Sequence, residues 1–299
     1  MAGTKEIRDR MKSIQDTLKI TNAMYMISSA KLRKAKKSLE DTEPYFYALQ
    51  DALARIIRHI PDIQSEYFVE ERRKNLEELK TGFIVITADK GLAGAYNHNV
   101  LKLAEEKMAK RPNNKLFVLG TLGRHYFRSK NINVAHQFHY TVQNPTIDRA
   151  RMIAERALEE YRSGELDEIY IVYTSMKNAM NSEAALRKLL PLRKSAFVPD
   201  VPKEVLASVK REEIQYTPSP EAVIGQIVPD AMIGYIYGAL VEAYCAEQHA
   251  RMSAMQTATD SGREMLHNLT IEYNRVRQAA ITQEITEVCA GAKAQRSGM

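Results

Sequence analysis

The chain has 299 residues, 43 Lys and Arg against 37 Asp and Glu, 44% apolar and 7% aromatic side chains, and no Trp. That length allows one large domain or two ordinary ones, and a charged, ring-poor composition favours long helices. No run of 18 apolar residues is free of charge and MAGTKEIRDR carries both signs, so neither a transmembrane helix nor a signal peptide is expected; Cys245 and Cys289 offer neither a disulfide framework nor a CxxC metal site.

The helix breakers divide the chain. No glycine falls between Gly3 and Gly82, and no proline follows Pro229. Two long helical ends therefore flank a turn-rich middle, with segments at 1–60, 80–217 and 218–299. At the N-terminal end Ile7, Met11, Ile14 and Leu18 recur at helical spacing, and Ile20, Met24, Ile27 and Leu32 continue the stripe after a phase shift, which predicts a coiled-coil seam with a stutter. At the C-terminal end Leu266, Leu269, Tyr273, Val276 and Ala280 form a matching stripe. A helix from about Pro220 to Gln295 would be roughly 110 Å long. Residues 1–40 carry net +6 and residues 219–299 net −3, which suits an antiparallel pair held by its apolar seam.

In the middle, Phe83–Ile86, Leu116–Leu119 and Ile169–Tyr173 are short apolar runs separated by helical stretches at Asn97–Lys110 and Asp148–Tyr161. This alternation predicts buried parallel strands in a Rossmann-like α/β sheet, with further strands at Glu183–Leu192 and Glu213–Thr217. The fold class is thus α/β: a long antiparallel coiled coil of N- and C-terminal helices flanking a Rossmann-like domain.

Catalytic chemistry is not visible. The loop ADKGLAGAYN at 88–97 follows a strand and precedes a helix, but Gly91 and Gly94 fit neither GxGxxG nor GxxxxGK[ST], so a structural turn with an exposed Lys90 is favoured over a nucleotide site. His136 and His139 lack a third ligand and read as solvated. No cofactor and no metal are expected. The cluster KLRKAKK at 31–37 reads either as a solvated helical face or as a contact for an anionic partner; without interleaved aromatics a nucleic acid is disfavoured, and an acidic protein loop is the better specific partner. The stretch ITQEITEVCAGAKA at 281–294 is apolar or small almost all round a helix, which requires enclosure by another protein.

Three stretches, KEIRDRMKSIQDTLKITNAMYMISSAKLRKAK, ADKGLAGAYN and YNRVRQAAITQEITEVCAGAKA, resemble in the same order the gamma subunit family of F-type ATP synthases. The resemblance implies a central rotor shaft, not itself catalytic, that couples ion-driven rotation of the c-ring to ATP synthesis at the beta subunits and runs in reverse on hydrolysis. Its implied partners are the alpha3-beta3 ring, epsilon and the c-ring, without nucleic acid. Its implied place is the cytoplasmic side of a bacterial plasma membrane, held there only through the complex. By motif, Met24 matches a stretch facing the beta subunit's acidic lever loop, while also falling on the apolar stripe. Lys31, Arg33 and Lys34 would meet the same acidic loops, and Lys90 lies in a loop resembling a further ring contact. Arg277 and Gln278 match a pair that catches beta loops, and Ile281, Ile285 and Val288 belong to the tip held in a hydrophobic bearing. The loop has Ala93 where the family commonly has Cys, so no thiol chemistry is implied there.

Overall fold

The computed structural model describes residues 4–68, 78–138, 142–177, 181–194 and 215–297. In chain order it contains α1 (Thr4–His59), β1 (Thr81–Ile86), α2 (Tyr96–Ala109), β2 (Asn114–Leu119), α3 (Thr121–Ser129), β3 (His136–Phe138), α4 (Ile147–Arg162), β4 (Glu168–Met176), β5 (Ser182–Leu190) and α5 (Pro220–Ser297). The chain divides into two compact units, Met1–Ser29 with Arg251–Met299, and Ala30–Ala250.

The larger unit is built on a five-stranded sheet in the order β3-β2-β1-β4-β5. β1 pairs in parallel with β2 and β4, β2 with β3 likewise, and β5 runs antiparallel to β4 at the edge. The apolar runs are buried on both faces, and their alternation sorts them. Ile84, Ile86, Phe117, Leu119, Ile169, Ile171 and Tyr173 face a core shared with α1, α4 and α5, while Phe83, Val85, Leu116, Val118 and Val172 face the core under α2 and α3. This is the expected α/β arrangement. Of the strand expected at Glu213–Thr217, Glu213 and Ile214 lie outside the described residues, as does His139, and Gln215–Thr217 form no strand.

The most apolar part of α5 lies in the core. Among the described residues, α5 contains an 18-residue window of mean hydropathy 1.3 with few charges, so by length and composition it passes for a membrane span. Its setting explains the apolarity: Ile224, Val228, Met232, Ile236, Tyr237, Leu240 and Cys245 are all buried in the core between sheet and helices. Gly234 lets α1 pack closely against α5, since a Cβ there would stand 2.1 Å from Phe46 Cδ1. Burial pushes the Cys245 thiol up to about 11 despite the opposing pull of Lys36, which leaves it protonated and inert at neutral pH.

In the smaller unit α1 and α5 pair antiparallel. Arg8 Nη2 donates to Tyr273 Oη at 2.8 Å, a Cβ on Gly262 would stand 2.8 Å from Leu18 Cδ2, and the Thr21 and Thr259 hydroxyls meet at 2.8 Å. The seam on α1 differs from the expected one. Its inward positions run Ile7, Met11, Ile14, Leu18, Thr21, Tyr25 and Ser28, an unbroken alternation of four and three with no stutter. Ile20 and Ile27, assigned to the seam by the expected phase shift, are instead 60% and 55% exposed. The heptad keeps its phase because Thr21 and Ser28, though polar, are small enough to lie inside, at 7% and 2% exposure. Thr21 donates its one hydroxyl hydrogen to the Leu18 carbonyl, 3.1 Å away, and so accepts from Thr259.

The threonine pair gives a direct test of this register. Thr21→Ala leaves the Thr259 hydroxyl without its partner in a buried seam and should destabilise the chain by about 1–3 kcal/mol. The double change Thr21→Val with Thr259→Val removes both polar groups at nearly constant shape and should recover most of that loss. Urea denaturation of Thr21→Ala and of the parent, Thr21→Val, Thr259→Val and double-valine chains provides the check; additive losses for the two valine changes would show that the two residues do not meet.

Candidate functional site

In open parallel sheets, ligands bind beyond the carboxyl ends of the strands where the strand order reverses. Here that point lies between β1 and β4, at the loop Thr87–Ala95. The structure closes it. Ala88, Ala93 and Tyr96 form a buried cluster with Ala246 of α5, against which Leu122, Met176 and Ala250 also pack. Small residues on this stretch of α5 let the helix lie where a nucleotide would need space.

The loop's polar groups are also spent internally. Asp89 Oδ1 accepts from the Thr121 amide at 3.0 Å and from its hydroxyl at 3.2 Å, and Oδ2 accepts from the Val142 amide at 2.8 Å. A carboxylate thus caps the start of α3, the position at which an anion would otherwise meet free helix amides. Asn97 Oδ1 accepts from the Ala88 amide at 2.8 Å, and Thr87 Oγ1 accepts from the Gly123 amide at 3.0 Å while donating to the Leu119 carbonyl at 2.8 Å. Gly120, at φ +93°, packs so tightly that a Cβ would stand 2.2 Å from the Thr87 carbonyl oxygen. These features hold a rigid turn.

A second polar cluster is equally self-contained. At the start of β4, Glu168 accepts from Lys188 and from Tyr170 Oη at 3.2 Å, and its Oε2 lies 3.5 Å from Arg111. Burial and the neighbouring Glu168 carboxylate push the Tyr170 phenol upward, so it stays a donor. Among the described residues no group of three or more His, Cys, Asp or Glu could hold a metal ion.

The sequence-derived surface residues fall into four settings. Met24 is half-buried beside the seam of the smaller unit. In the basic cluster Leu32 and Ala35 pack inward, while Arg33, Lys34 and Lys37 are exposed and Lys31 and Lys36 half-exposed. Lys90 is exposed on the closed loop. Arg277, Gln278, Ile281, Ile285 and Val288 are all exposed on α5, Val288 at 72%. The register explains the last group. Because Arg8 meets Tyr273 and α1 begins at Thr4, the described pairing extends about one turn further along α5, and residues 277–292 beyond it are exposed. Exposed Ile20, Met26, Ile27, Tyr45 and Leu92 were not found by periodicity, which assigns apolar residues to seams first.

The comparisons with known proteins agree with this architecture. The family model described as ATP synthase matches residues 3–295. The ATP synthase gamma chain of Ruminiclostridium cellulolyticum is 44% identical over 291 residues, covering 97% of this chain and 98% of its own. The sodium ion specific ATP synthase gamma chain of Acetobacterium woodii is 36% identical over 300 residues, covering 97% and 98%. Among solved structures, a chain of the Euglena gracilis mitochondrial ATP synthase (OSCP, F1 and c-ring) matches with a TM-score of 0.68 at 14% identity, over 99% of this chain and 95% of that one. One from the central stalk and c-ring of the Tetrahymena thermophila enzyme matches at 0.58 and 22%, over 80% and 99%. With its sheet order, its antiparallel helix pair and a match running almost from end to end, this chain belongs to the gamma chain family of ATP synthases.

Proposed function

We propose that this chain is the non-catalytic rotor shaft of a bacterial ATP synthase, turning inside an alpha3-beta3 ring on the cytoplasmic side of the membrane and bound to epsilon and the c-ring. In this reading 1–60 and 218–299 form the shaft and 80–217 the globular part. The observation that carries the reading is the C-terminal stretch of α5, a single helix with Ile281, Ile285 and Val288 all exposed. A helix that is apolar on several faces and lacks a partner helix is completed by a surrounding surface. The filled crevice supports the same reading from the other side, since ATP chemistry then belongs to other subunits.

Torque requires that the two helices not slip past each other, and interdigitated packing along a long seam resists such slip. An asymmetric shaft presents a different face to each of three identical catalytic subunits, so each is biased toward a different conformation. Arg277 and Gln278 sit just beyond the paired region, where polar side chains reach a surrounding loop without disturbing the seam. Arg33, Lys34 and Lys37 offer positive charge to acidic loops, with Met24 and Lys90 as further contacts.

A pull-down of the native chain followed by mass determination should recover the alpha3-beta3 ring; a chain that assembles only with itself or with nucleic acid would contradict the rotor reading. Calorimetry with ATP should show no stoichiometric micromolar binding to the purified chain, because Asp89 and the alanines of α5 occupy the crevice at the strand-order switch point.

Arg277→Ala with Gln278→Ala should lower ATPase and ATP-driven ion pumping at least tenfold in the assembled enzyme, since truncating a desolvated polar contact costs about 2–5 kcal/mol. The melting temperature of the free chain should stay put, both side chains being exposed. Unchanged turnover in a fully assembled double variant would remove them from the catch.

Replacing Lys31, Arg33, Lys34, Lys36 and Lys37 together by Gln should flatten the salt dependence of ATPase, because a contact between exposed charges is screened over about 8–10 Å. Superimposable curves for variant and parent would mean that the cluster is merely solvated.

A further inference from the structure

Within the larger unit α1, β5 and α5 do not close on one another. Between them lies a cavity of about 820 Å³, a volume in the range of small-molecule sites. Leu39, Phe46, Leu189 and Ala239 give it apolar walls, and Tyr47 and Tyr235 add aromatic ones. Two glycines of α5 line it, for different reasons. Gly234 is required by packing, because Phe46 lies where its Cβ would stand, whereas a Cβ on Gly238 would meet nothing within 4 Å. A glycine inside a helix costs about 1 kcal/mol against alanine, and at Gly238 no neighbour demands it. The missing side chain leaves room in the cavity.

The charged groups of the lining are unequally engaged. Glu43 accepts from Tyr47 Oη at 2.7 Å, Glu242 accepts from Ser175 Oγ at 2.7 Å, and Lys188 is held by Glu168. Arg187 and Arg193 also line the cavity; both are exposed, and among the described residues neither has a hydrogen-bond or ion-pair partner. Burial raises the Tyr235 phenol and Arg187 opposes the rise, which sets this guanidinium near that ring. The carboxylates stand on the two helices and the arginines on β5 and just after it, so an anionic head entering the cavity is drawn to the β5 side. A guanidinium is a planar fork of donors that matches a carboxylate, and two without partners favour an anion over a cation.

We propose that this cavity binds a small amphipathic anion, a medium-chain carboxylate, with its head on Arg187 and Arg193 and its apolar body against Phe46 and Tyr235 in the space left at Gly238. Such a ligand touches α1, β5 and α5 at once and so ties both long helices to the edge of the sheet. The site belongs to the free chain and does not depend on the rotor reading.

Isothermal titration of decanoate into the purified full chain tests the site, with decyltrimethylammonium as a cation of the same chain length. The parent should bind a single decanoate with a dissociation constant on the order of 10–100 μM, and the cation at least about tenfold more weakly. Arg187→Gln with Arg193→Gln should weaken decanoate binding about tenfold or more, because the charge-assisted hydrogen bonds to the head are lost. Gly238→Leu fills the space and should abolish binding, while its melting temperature stays at or above the parent's because leucine is the better helix former. No saturable decanoate binding by the parent, a cation that binds as tightly, or unchanged binding by the two-arginine variant would each overturn the site. So would a Gly238→Leu chain that binds decanoate like the parent, or one that melts lower and thereby shows that the space was not open.

Discussion

The seven-residue seam on α1 is the constraint from which the helix pair takes its form. Ile7, Met11, Ile14, Leu18, Thr21, Tyr25 and Ser28 keep one face of the helix toward α5 without a break in phase. Two consequences follow from the choice of small polar residues at Thr21 and Ser28. They let the backbones stay close, with a buried hydroxyl pair instead of a bulky apolar layer, and they leave Ile20 and Ile27 outside, where apolar surface becomes available to other proteins. A stutter at this point would have buried those isoleucines and turned polar residues outward. Among the described residues the pairing ends near Arg277, and residues 277–292 of α5 are exposed beyond it.

The larger unit fills the crevice at its strand-order switch point with groups of its own chain. Its strand order places a switch point between β1 and β4, but Ala246 and Ala250 of α5 bring the helix against the loop, and Asp89 takes the helix amides of α3. Function lies in what occupies a fold's sites, and here the chain's own helix is the occupant. The same contact ties the loop carrying Lys90 and Leu92 to the C-terminal helix.

Much of this was legible in the sequence because it rests on periodicity. Apolar runs at 83–86, 116–119 and 169–173 mark strands buried on both faces, and the distribution of glycine and proline marks the long helices. The missed features have a common cause. Hydrophobicity alone moves the seam to Ile20 and Ile27, since a pattern of apolar letters does not register that a threonine can be buried when a second threonine answers it. By contrast, no membrane helix is expected of the apolar stretch of α5 around Ile224–Cys245, and its packing against the sheet makes it a core helix. Leu92, exposed on the loop with φ +62°, carries no periodic signal at all, because a dihedral angle leaves no mark on the spacing of apolar residues. The resemblance to the gamma family named the polar residues beyond the seam, and the antiparallel register supplies the reason they are exposed.

Amide hydrogen exchange along α5, in the free full chain and in the assembled enzyme, tests the central claim most directly: the shaft is a packed helix pair whose C-terminal turns are completed only by the ring. In the free chain the amides of residues 259–273 should be strongly protected by the seam and those of 278–293 weakly, because a helix without a packing partner opens locally at little cost. Assembly with the alpha3-beta3 ring should slow exchange at 278–293 by orders of magnitude and change residues 259–273 much less. Equal protection of both stretches in the free chain, or no gain at 278–293 on assembly, would contradict the account.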